Sequence, residues 1–117
     1  MSLEELYTID LITAPAPGRL GLHIVDSGTI ANPQIRAQAF QAKLAAYLRY
    51  VTSAQFTDEH PGYTLADVTI FVDLYVPITS QMRQIAQAAM IGRVPIVFVD
   101  YTGRRQISYA AERAAGR

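Results

Sequence analysis

Hydrophobic and polar residues alternate with a period of two from Tyr7 to Ile12 and again from Leu20 to Val25, and the period lengthens to about 3.6 between Pro33 and Ser53. The first pattern predicts two strands, the second an amphipathic helix. Between the strands, Thr13-Ala14-Pro15-Ala16-Pro17-Gly18 contains two prolines and a glycine, which cannot continue a ladder, so the chain is expected to turn back as a hairpin. Its inner face would then hold Ile9, Leu11, Leu20, Leu22 and Ile24. Asp26-Ser27-Gly28 ends the second strand. Asn32 is placed to cap the helix, and Pro33 suits the first helical position, where a missing N–H costs nothing. Ala37, Phe40, Leu44, Leu48 and Val51 recur at spacings of three and four with Tyr47 beside them, giving the stripe that faces the sheet.

After a polar stretch, Thr57-Asp58-Glu59-His60-Pro61-Gly62, the run Val68 to Val76 is the strongest strand signal, with an aliphatic residue at every even position. Pro77 stops it. Thr79 or Ser80 caps a second helix whose face is Met82, Ile85, Ala86, Ala89 and Met90, with Gly92 as a stop. Pro95 to Tyr101 reads as a fourth strand ended by Thr102-Gly103. The alanine-rich, basic remainder from Arg104 to Arg117 reads as a tail or short helix. The expectation is one α+β domain over residues 1–117, ordered from about 6 to 102, in ββαβαβ order. Its four-stranded mixed sheet would carry both helices on one face, because each strand–helix–strand crossover is right-handed.

Half the chain is hydrophobic and 17% is charged, a globular balance. Ten basic residues balance ten acidic ones, so no field gathers an anionic partner, and neither nucleic acid nor membrane is expected. The chain has no cysteine, which removes disulfides and thiolate chemistry and suits a cytoplasmic location. No stretch approaches the roughly 20 apolar residues of a membrane span.

Four segments together resemble a family of small uncharacterised bacterial proteins: Tyr7-Thr8-Ile9-Asp10, Leu22-His23-Ile24-Val25-Asp26, the helix run Phe40-Gln41-Ala42-Lys43-Leu44-Ala45-Ala46-Tyr47-Leu48, and Ser53 followed by a loop containing Pro61. In that family a hairpin precedes a helix with a Gln-x-Lys-Leu-x-x-Tyr-Leu core and then another strand. The resemblance spans about Tyr7 to Pro77. It implies the fold and no activity.

Chemistry is sought where residues break the fold pattern. If the even positions of the third strand face the helices, Thr69, Phe71, Asp73 and Tyr75 face away, joined by Thr8, Asp10, Ile12, His23, Val25 and either Ile96, Phe98 and Asp100 or their neighbours. One expectation is that this face, with Asp10, His23, Phe71, Asp73, Tyr75 and Phe98, binds a second copy of the chain or another protein, without a cofactor. A competing expectation is that the C-terminal segment covers it through Ile107 and Tyr109. The alternative function is a small enzyme or a ligand- or metal-binding protein using Asp10, His23, Asp73 and Asp100, whose side chains suit acid–base work or a divalent cation.

Other features are weaker. Asp26-Ser27-Gly28-Thr29 lacks the glycines and lysine of a phosphate loop, and Ser27, Ser53 and Ser80 lack a nucleophile elbow. His60 reads as a loop residue, and Arg104, Arg105, Arg113 and Arg117 as a solvated tail. Ala42, Ala45 and Ala46 permit close approach of another helix.

Overall fold

Five strands form one mixed sheet, in sequence order, in the computed structural model, which describes residues 3–6, 8–89, 94–103 and 106–110. They are β1 Leu11–Thr13, β2 Leu20–Asp26, β3 Val68–Leu74, β4 Ile96–Asp100 and β5 Ile107–Ala110. β2, β3 and β4 run parallel, and β1 and β5 flank them antiparallel. The helices are α1 Pro33–Val51, α2 Ala54–Glu59 and α3 Ser80–Ala89, with one turn of 3-10 helix over Leu65–Asp67. Tyr7, Met90, Gly92, Arg104, Arg105, Arg113 and Arg117 lie outside the described residues.

The expected α+β class and mixed sheet hold, with two corrections. A fifth strand replaces the expected tail or helix, and a short helix, α2, occupies part of the expected polar loop. Ile107 and Tyr109 therefore do not cover the second face. They extend the sheet beside β4, and Tyr109 stacks on Phe98 at 5.7 Å on the helix side.

α1 starts as its sequence dictates: the Asn32 carboxamide oxygen accepts from the N–H groups of Gln34 and Ile35, both at 3.0 Å, and Pro33 follows the cap. α3 is capped by Thr79, whose hydroxyl accepts from the Met82 N–H. Both helices contribute to one core. Phe40, Leu44, Tyr47 and Val51 of α1 and Met82 and Ala86 of α3 meet Leu22, Ile24, Ile70, Val72, Leu74, Ile96 and Phe98 of the sheet, all buried. The small-residue side of α1 finds its neighbour within the chain, since Ala45 and Leu48 line a groove with Ile85, Ala88 and Ala89 of α3.

The α1 stripe also carries charge. Arg36 and Lys43 are buried with it, and each meets an acid from the sheet side. Arg36 Nε donates to Asp26 Oδ2 at 2.7 Å and Arg36 Nη1 to the Pro77 carbonyl at 2.7 Å, which fastens the end of β2 and the exit of β3 to the helix. Gly28 makes the turn between them at φ +86°, and a side chain there would meet Val76 at 2.6 Å.

Candidate functional site on the open sheet face

The site begins with the way β1 is held. Where the expected strand from Tyr7 to Ile12 would continue its ladder to β2, side chains replace the backbone. The Asp10 carboxylate accepts from the Val25 N–H at 2.8 Å, and the Tyr47 hydroxyl, accepting from the Asp10 N–H, donates to the His23 carbonyl at 2.5 Å. Lys43 Nζ donates to the other Asp10 oxygen at 2.7 Å, and both of those side chains are fully buried. Burial holds the Tyr47 hydroxyl well above the usual phenol range. Three α1 and N-terminal side chains thus fix a strand only three residues long.

This arrangement sets the phase of β1 opposite to expectation. Leu11 pairs with His23 and Ile12 with Leu22, so Ile12 and Asp10 belong to the helix side while Leu11 and Thr13 stand on the open face. Phe98 is also on the helix side, fully buried with its ring 6.3 Å from that of Phe40. Asp100 caps its own turn, accepting from the Thr102 N–H and hydroxyl, and those bonds lower its pKa. Of the expected face, Asp10, Ile12, Phe98 and Asp100 are therefore elsewhere, and His23, Phe71, Asp73 and Tyr75 come together.

What they form is a diagonal across three strands. His23 Nδ1 lies 2.8 Å from Asp73 Oδ2, and His23 Nε2 lies 2.8 Å from Thr13 Oγ1. In the neutral imidazole, Nδ1–H donates to the carboxylate, which only accepts, and the Thr13 hydroxyl donates to Nε2. The imidazole stacks on Phe71, with centroids 4.8 Å apart and planes 20° from parallel. His23 and Asp73 side chains are 13% and 7% exposed, and Asp73 Oδ1 takes no hydrogen bond from the described residues. Gly21 leaves the space for this. A Cβ there would lie 2.6 Å from Thr13 Oγ1 and 2.8 Å from the Phe71 ring. Beyond Asp73, Tyr75 and Tyr101 stack at 4.9 Å, and burial followed by the nearby Asp73 charge raises the Tyr101 pKa.

Sequence reading missed Thr13 and Tyr101. Thr13 was assigned to the loop because Pro15 and Pro17 follow it, and the signal that could have found it is Gly21, the one residue of β2 without a side chain, directly opposite.

A model of the Family of unknown function (DUF6572) matches residues 1–93. The chain belongs to that family. No curated protein and no solved structure matches it. The DUF6572 match ends before β4, so Thr13, His23 and Asp73 lie within it, and Val97, Val99 and Tyr101 of the open face lie beyond it. Lys43 and Tyr47, which lie within the matched residues, hold Asp10 and β1.

A concavity of about 400 Å³ lies on the helix side, lined by Leu6, Ile9, Ile12, Ala46, Tyr47 and Tyr50 among others. At its rim the Tyr50 hydroxyl donates to Glu59 at 2.5 Å. Burial and that hydrogen bond push Tyr50 up to about 12, and the same bond lowers the Glu59 carboxyl. Among the described residues no three His, Cys, Asp or Glu side chains gather as a metal site, and no helix is long and apolar enough to cross a membrane.

Proposed function

We propose that the chain is an interaction domain that works through the open face of its sheet, with a second copy of itself as partner. The observation that carries this is a parallel trio, β2, β3 and β4, with the helices of the described residues all on one face. Parallel sheets are ordinarily covered on both faces, because their crossovers and hydrophobic strands demand it. The other face presents Leu11 and Tyr75, 45% and 53% exposed, beside half-buried Val25, Phe71 and Val97 and buried Val99. The Asp73 carboxylate on it is hydrogen-bonded to His23. A twofold axis places the same patch on both sides. The reading invokes no cofactor.

Size exclusion coupled to light scattering tests it. The expected mass is twice the 12.9 kDa of the chain, returning to the single value in Tyr75→Asp and Leu11→Asp, which alter exposed side chains and leave the fold intact. A monomer at every concentration would overturn the reading.

A second reading is favoured by one observation, the imidazole of His23 hydrogen-bonded at both nitrogens. In that reading His23 and Asp73 are an acid–base pair acting on a small molecule at the same face. His23→Gln should then abolish turnover while the oligomeric state stays as it was.

A further inference from the structure

Resting on the acid–base reading of His23 and Asp73, we propose that Thr13 is a nucleophile and that Thr13, His23 and Asp73 form an acyl-transfer triad for apolar carboxylic esters with good leaving groups, such as aryl esters. Triads are recognised by geometry and roles, not by chain order, and the roles here are filled in line. A hydroxyl lies 2.8 Å from one imidazole nitrogen, and a buried carboxylate lies 2.8 Å from the other. The proton order that the carboxylate imposes is the one a general base requires: Nε2 is free to take a proton, and Nδ1–H is held by Asp73.

Two further features hold this row in place. The imidazole plane is fixed by Phe71, so its nitrogens keep their aim as the proton moves. The residue facing Thr13 is Gly21, and any side chain there would collide with the hydroxyl. That position admits both the Thr13 hydroxyl and the Phe71 ring against the imidazole. Leu11, two residues from Thr13 on the same face and exposed, supplies an apolar wall, which sets the substrate class.

The chemistry balances without a co-reactant beyond water. Thr13 Oγ1 bonds to the ester carbonyl carbon as its proton passes to His23 Nε2, and Asp73 stabilises the imidazolium. The bond from that carbon to the leaving oxygen breaks, and the leaving group takes the proton from His23. Water then attacks the acyl-threonine, giving one proton to His23. The carboxylic acid departs, and Thr13 Oγ1 recovers the proton.

The test is p-nitrophenyl acetate with the full chain, read as p-nitrophenolate release and as an acetyl group located by peptide mass spectrometry. The expected result is an acetyl group on Thr13, with release falling about 100-fold or more in Thr13→Val and in His23→Gln. Thr13→Ser, which keeps the hydroxyl, should retain acetylation, and circular dichroism confirms that each variant is folded. Release that survives Thr13→Val yet requires His23 would overturn the nucleophile and leave His23 as a base toward water. Release no faster than buffer alone, or acetylation elsewhere unaffected by either variant, would overturn both.

Discussion

Lys43 and Asp10 are the residues on which most depends, because neither has water to fall back on. Removing one partner of a buried ion pair leaves the other charge stranded, at a cost of about 3–5 kcal/mol, against a total stability of about 5–15 kcal/mol for a domain. Lys43→Met should lower the urea midpoint accordingly. Replacing both, as Asp10→Leu with Lys43→Met, should recover part of the loss, the remainder including the Val25 N–H that Asp10 satisfies. The tyrosines make a second expectation. Burial raises Tyr47 and Tyr50 above the ordinary value of 10, so the folded state favours their neutral forms. Their contribution is complete below pH 10 and is lost as the pH climbs through the raised values. The thermal midpoint should fall above pH 10, and Tyr50→Phe should flatten the part between 10 and about 12. None of this was legible from periodicity. Lys43 and Arg36 sit within the apolar stripe of α1, and a pattern of hydrophobic positions reads them as its polar flank.

Among the elements, α1 is the most legible, since cap, proline and period agree on one start. Asn32→Ala should cost about 1 kcal/mol in a denaturant titration, the usual value of a lost cap. Gly28→Ala should cost more than a cap does, because it combines a positive φ with a collision against Val76. α2 was hidden because six residues make no periodic stretch. It is specified by the Ser53 hydroxyl accepting from the Phe56 N–H and by the burial of Phe56. β5 was hidden for a related reason, as Ile107 to Ala110 is short and sits in an alanine-rich segment that favours helix by composition. The length of β1 was misjudged because alternation continues through Asp10, while the ladder stops there in favour of side chains. That error turned the face of β1 over, and with it the placement of Asp10 and Ile12.

For the molecule as a whole, strand order equals chain order, so the sheet has no point at which successive crossovers diverge. Open α/β sheets usually bind ligands at such a point, and its lack shifts attention from the strand ends to the bare face. If that face pairs with its copy, the thermal midpoint should rise with protein concentration in the wild type and become independent of it in Tyr75→Asp. The replacement of the β1–β2 ladder by Asp10 and Tyr47 has a consequence for assembly. Those two groups are correctly placed only once α1 lies on β2, so β1 docks after that helix. Until it docks, the outer edge of β2 offers the Val25 N–H to any passing strand. Refolding at high concentration should therefore err by exchanging β1 between chains.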